Sequence, residues 1–289
     1  MDESIARSRP RPTLAAMKSK APAALAVLLT ACGPAIPRMP PAPGSTLSVA
    51  AIRADSDRRF EVLLEGAGEP EIFSSYSPSG PVRWARNFTL RLDFTGVAWD
   101  DSRTATLVSP RHVVMAAHYQ RPAGSKLSFH DRRGNLHTCT LIAIEKVSGA
   151  DISVGLLDAP LPESVSYYRL LPPSPSNLGL TGCLAVVTDH SRRAHIHPID
   201  LISGNNIAFG RPAPGRIPPQ LFKPVIKGDS GNPSFLIVGG EMVLIETHST
   251  GGSGAGPFYS EPANFAAINA AMSKLGGGHQ LSVVPVRHD

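Results

Sequence analysis

Residues 126–157 read KLSFHDRRGNLHTCTLIAIEKVSGADISVGLL, and this stretch decides the fold class. It holds three short runs rich in Val, Ile, Leu, Thr and Phe: KLSFH, LHTCTLIAI and ISVGLL. The first two are parted by the turn cluster DRRGN. Short strands that recur regularly between turn signals indicate a barrel or a sandwich. Upstream, the same pattern gives TLRLDF (89–94), ATLVS (105–109) and HVVMAA (112–117), with DDSR and RPAG as turns. Downstream, the proline-rich break LLPPSPSNLG (170–179) precedes a second set: CLAVVT, AHIHPIDLI, NIAFG, SFLIV and MVLIET. The last element, ANFAAINAAMSKLGGG (263–278), differs. Phe265, Ile268, Ala271, Met272 and Leu275 fall at helical spacing, and glycines stop the run. The expectation is an all-β body of two units joined by a linker and closed by a C-terminal helix.

The 26 glycines and 28 prolines in 289 residues supply the turns such a body needs. A formal charge of +5 is small for this length, and no Lys/Arg run is interleaved with aromatics. A nucleic-acid partner is therefore not expected.

Lys18 and Lys20 precede APAALAVLLTAC (21–32), an apolar run of the length of a secretory h-region and too short to span a bilayer as a helix. Residues 1–31 are read as an export signal, with Met17 a candidate true start. Leu29, Thr30, Ala31 and Cys32 resemble a bacterial lipobox, which implies lipid attachment at Cys32 and a membrane as partner. The alternative is a plain signal with a chance cysteine. Residues 32–44 and the prolines that follow Cys32 read as a semi-rigid tether. In an exported chain Cys139 and Cys183 could pair, or lie buried as separate thiols. Residues 45–86 form an extension of unassigned role, read as a short helix followed by a strand over LSVAAIRADSDRRFEVLLEG (47–66). It could cover a cleft as an inhibitory segment.

Acyl transfer by serine needs a base near the hydroxyl, an acid that orients the base, and donors aimed at the oxyanion. His118 ends a strand-like run after two small alanines, Asp151 starts an apolar strand, and KGDSGNPS (227–234) offers Ser230. That octet taken alone also reads as an ordinary surface turn.

Three segments, in order, resemble the chymotrypsin (trypsin-like) serine peptidase family: TLVSPRHVVMAAH, ADISVGLL and GDSGNP. The likeness covers roughly residues 87–275. It implies two six-stranded antiparallel β-barrels, at about 87–170 and 180–262, a helix at about 263–275 and a tail over 276–289. It further implies a His118, Asp151, Ser230 triad, an oxyanion hole from the Gly228 and Ser230 N–H groups, a peptide substrate, and neither metal nor cofactor. The chain departs from the family in several places. Ala105 and Tyr119 stand where a disulfide is expected, and Gly231-Asn232 replaces Gly-Gly. No activation-type N-terminus is evident, so Asp229 needs some other partner. Pro224 stands where a carboxylate would read Arg or Lys, so a basic preference is not implied. Glu246 to Gly254 should line the other pocket wall with Thr247 and His248. His248 is similar in place to the pocket histidine of glutamyl endopeptidases, or else is a solvated loop residue.

Other residues compete for these roles. Asp93 and Asp158 are rival acids, the first against the family order and the second past its strand. His195 and His197 share a strand face at period two, which suits a metal or, more simply, a solvated face. His112, His130 and His137 read as structural or exposed. Two functional alternatives also stand: a peptide-binding module with weak chemistry on the same fold, and a structural envelope lipoprotein.

Overall fold

The computed structural model describes residues 48–285. The expected signal, tether and Cys32 lie outside the described residues.

Helix α1 (Val49–Leu64) starts where Ser48 Oγ accepts from the Ala51 N–H at 3.2 Å. The expected strand in this segment is absent, because the helix continues through FEVLL. Ile52, Phe60 and Leu63 recur at helical spacing and are fully buried on one face. Asp55 pairs with Arg59 one turn on, at 2.7 Å, and accepts from the Gly239 N–H at 3.0 Å. A short hairpin follows, β1 (Phe73–Ser75) with β2 (Arg83–Trp84). TLRLDF, expected as a strand, is instead a 3-10 turn over Phe88–Arg91. Asn87 Oδ1 accepts from both Thr89 N–H (2.8 Å) and Thr89 Oγ1 (2.6 Å). Such local bonds outcompete a ladder.

The first sheet contains β3 (Val97–Ala98), β4 (Ala105–Leu107), β5 (His112–Met115), β6 (Lys126–His130), β7 (Leu136–Lys146) and β8 (Ser153–Leu157). Its order is β3-β4-β5-β8-β7-β6, antiparallel throughout. Gly155 in β8 admits no side chain, since a Cβ there would stand 2.4 Å from Leu141 Cδ1 and 2.9 Å from Val113 Cγ2. The second sheet contains β9 (Leu184–Thr188), β10 (Ala194–Ser203), β11 (Asn206–Phe209), β12 (Pro233–Val238), β13 (Glu241–Thr247) and β14 (Ala255–Pro257). Its order is β13-β12-β9-β10-β11-β14, also antiparallel. Both sheets are barrel-like, and helix α2 (Pro262–Leu275) closes the body.

Each sheet has its own apolar cluster, and a third cluster joins them to both helices. At the centre of that third cluster Phe235 lies 6.2 Å from Phe94 and 4.7 Å from Tyr168, ring to ring. Residues 45–86 are not a separate extension over their described part. Ala194 N–H donates to Pro70 O, Ile72 N–H to Arg192 O and Val82 N–H to Gly134 O, so the segment is bonded into both β units. The tail is likewise bound: Val284 N–H donates to Leu170 O at 2.9 Å, in the expected linker. Cys139 and Cys183 are separate buried thiols.

Candidate active site

β5 runs into a 3-10 turn, Ala117–Tyr119, that carries His118. Asp151 lies in the turn just before β8, the strand paired with β5, so the ladder itself brings the two together. Asp151 Oδ1 accepts from the His118 N–H at 2.8 Å, and Oδ2 lies 2.6 Å from His118 Nδ1. Ser249 Oγ donates to the same Oδ2 at 2.6 Å. A carboxylate on Nδ1 fixes the tautomer with its proton there, which turns the Nε2 lone pair outward. His118 Nε2 stands 3.0 Å from Ser230 Oγ, in the turn that precedes β12. The His118 side chain is 47% exposed, so the constellation opens to solvent. The structure therefore brings together the three residues singled out in sequence, in a geometry where an imidazole can take a serine proton.

The turn around Ser230 is held by its neighbours. Asp229 N–H donates to Ile226 O, Gly231 N–H to His248 O and Asn232 N–H to Asp229 O, at 2.8–3.1 Å. Among the described residues, the N–H groups of Gly228 and Ser230 donate to nothing. Gly228 at φ +103° and Gly231 at φ +84° occupy backbone that side chains rarely adopt. Asn232 needs no such conformation, since Arg192 is the one non-glycine residue with positive φ among those described. Its buried amide has a different task. Oδ1 accepts from Trp99 Nε1 (3.2 Å) and Thr104 Oγ1 (3.0 Å), while Nδ2 donates to Asp229 O (3.0 Å).

No family model matches the chain, and no curated protein matches it.

The expected pocket residues sit differently from one another. Pro224 is exposed. Thr247 is buried with its hydroxyl 2.7 Å from Tyr259 OH. His248 is no solvated loop residue: it is fully buried, Nε2 faces Thr188 O at 3.2 Å, and Nδ1 stands 2.9 Å from Glu246 Oε1 in an ion pair. Burial opposes charge on this ring, but the Glu246 carboxylate outweighs it and raises the pKa above 6.5. Both ring nitrogens are thus engaged within the chain. Val225 and Gly252 bond across to each other at 2.7 and 3.0 Å, and a Cβ at Gly254 would meet Val225, Phe209 and His248.

The solvated-face reading of His195 and His197 is also corrected, because both are buried. His195 Nε2 faces Asp189 Oδ2 at 3.2 Å and His197 Nδ1 faces Ser253 O at 2.8 Å. Burial pushes His197 down to about 3, which keeps it neutral. Among the described residues no group of three or more potential ligands is placed to hold a metal. Asp93 is taken by Thr95 and Ser166, and Asp158 by the Thr140 N–H, so neither reaches His118. His112 is buried between Ser109 and Gly276, His130 is buried against Gly80 O, and His137 contacts Asp131. A cavity of about 370 Å³, lined by Asp93, Arg132, Tyr168, Arg169 and Glu241 among others, holds none of the triad.

Three sets of contacts were not legible in the sequence: Ser249 with Asp151, Asn232 with Trp99 and Thr104, and His190 with Asp229. Ser249 directly follows His248 in the segment already assigned to the pocket wall, which was a usable signal. His190 carried none, since only the fold brings it to Asp229.

Proposed function

We propose that this protein is a serine endopeptidase of the trypsin-like kind, exported and tethered to a membrane through lipid on Cys32. The observation that carries the catalytic reading is the continuous chain from Ser249 through Asp151 and His118 to Ser230, with contacts of 2.6, 2.6 and 3.0 Å. The two barrel-like antiparallel sheets, the order of the three segments and the free Gly228 and Ser230 N–H groups support it.

In this mechanism Ser230 Oγ attacks the scissile carbonyl carbon as His118 Nε2 takes the hydroxyl proton. The carbonyl oxygen becomes an oxyanion and accepts from the Gly228 and Ser230 N–H groups. Asp151 keeps the imidazolium oriented and offsets its charge. Collapse of the tetrahedral adduct expels the amine, which takes the proton from His118 and leaves an acyl group on Ser230. Water then repeats the sequence, with His118 as its base, and frees the acid. A carboxylate reader for Arg or Lys is missing at Pro224, so the reading does not include basic specificity.

An activated ester should give a burst of product equal to the enzyme concentration, from rapid acylation and slower deacylation. Neither burst nor turnover from folded protein would overturn the proposal. Export and tethering have their own test. Metabolic labelling with a fatty-acid alkyne should mark the wild type and not Cys32→Ser, and equal labelling would refute the anchor.

A further inference from the structure

Asp229 is fully buried and adjoins Ser230 in the chain. A buried carboxylate is tolerated only when donors surround it, and this one has three. Oδ1 accepts from the His190 N–H at 3.0 Å and lies 2.5 Å from His190 Nδ1, while Oδ2 accepts from the Ile226 N–H at 2.8 Å. Two of the three come from one residue, His190, which lies 39 positions upstream of Asp229 in the β9–β10 turn.

That turn is itself braced. Asp189 N–H donates to Arg193 O, Arg192 N–H to Asp189 O, and Arg193 N–H to Asp189 Oδ1. Arg192 adopts φ +61° and sets its guanidinium 4.3 Å over the Tyr76 ring. Asp189 Oδ2 also accepts from Lys223 Nζ at 2.9 Å, so the same turn grips the segment leading to Ser230 at a second point. A Cβ at Gly228 would stand 3.8 Å from His190 Nδ1, so the ring lies against one of the two residues whose N–H groups are free. The ring is 36% exposed, and Ser191 Oγ lies 3.4 Å from its Nε2 on the outer side.

We propose that His190 is a positioning residue, which clamps Asp229 and so holds the Gly228–Ser230 turn with its free N–H groups in anion-binding form. The inference rests on the nucleophile reading above. Through this clamp the chain itself supplies the partner that Asp229 requires, and the turn needs no new N-terminus to order it.

The test uses the full-length chain as wild type, His190→Ala and His190→Asn, the last keeping a donor near the Nδ1 position. Hydrogen exchange across residues 224–231 should quicken about tenfold or more in His190→Ala and stay near wild type in His190→Asn. Ester turnover should lose about 10²-fold in kcat at nearly constant KM in His190→Ala. Added imidazole should restore part of that loss, because the vacated site opens to solvent. If His190→Ala does not fold, His190→Asn with near-wild-type exchange and kcat supports the clamp, and a fully impaired His190→Asn overturns it. Unchanged exchange in a folded His190→Ala would also overturn it. Wild-type protein that shows the predicted exchange pattern but never turns over an ester would keep the clamp and refute the nucleophile reading instead.

Discussion

The indole N–H of Trp99 donates to Asn232 Oδ1 at 3.2 Å, linking the first β unit to the turn that carries Ser230. Thr104 Oγ1 shares the same acceptor, and Asn232 Nδ2 passes the connection to Asp229 O. His118 and Asp151 belong to the first unit and Ser230 to the second. The 3.0 Å approach of Nε2 to Oγ therefore depends on how the units are joined.

Asn232→Ala would leave two buried donors without an acceptor. The expected cost is about 2–3 kcal/mol of stability, with a fall in kcat out of proportion to any change in KM. Denaturant unfolding and steady-state kinetics would check both.

Asp151→Asn would keep the shape of the acid and lose the charge that selects the His118 tautomer. Turnover should fall about 10⁴-fold. Ser249→Ala removes one of several donors to that carboxylate and should cost far less, about three- to tenfold. Equal losses in the two variants would contradict the roles assigned here.

The buried His248–Glu246 pair gives stability a dependence on pH. His248 has a pKa raised in the folded protein, so the pair stabilises fully below about pH 6.5. That stability is lost as pH rises through the folded value, leaving a buried carboxylate without its cation. The melting temperature should decline as pH rises above about 6.5, and Glu246→Gln should flatten the decline. An unchanged slope in Glu246→Gln would contradict the pairing.

Residues 48–86 are bonded into the fold, and α1 packs along β9 and β12 without a hydrogen bond to His118, Asp151 or Ser230. The described part of this segment is therefore integral to the folded body. Ile52, Phe60 and Leu63 together bury about 5–9 kcal/mol of transfer free energy, comparable with the whole stability of a domain. Deleting residues 45–86 should therefore unfold the protein rather than raise turnover. Circular dichroism with an activity assay would distinguish the two outcomes.

Much of the β framework was legible because its strands are marked locally. KLSFH coincides with β6 at both ends, and the C-terminal helix begins within one residue of its apolar pattern. The three residues of the site were legible because each lies in a short segment of distinctive composition. What escaped depends on distant partners. FEVLL reads as a strand until Phe60 and Leu63 find cores to enter, and TLRLDF loses its ladder to the Asn87 side chain. The burial of His195, His197 and His248 follows from sheet closure, and nothing adjacent in the chain announces it. His190 and Asn232 are ordinary residues whose significance comes from where the fold delivers them.

The most direct measurement is covalent labelling of the full-length protein with a fluorophosphonate probe, alongside Ser230→Ala and His118→Ala. The proposal predicts one label per wild-type chain, on Ser230, lost in both variants while each stays folded. A folded wild type that takes no label, or a label that survives Ser230→Ala, would contradict it.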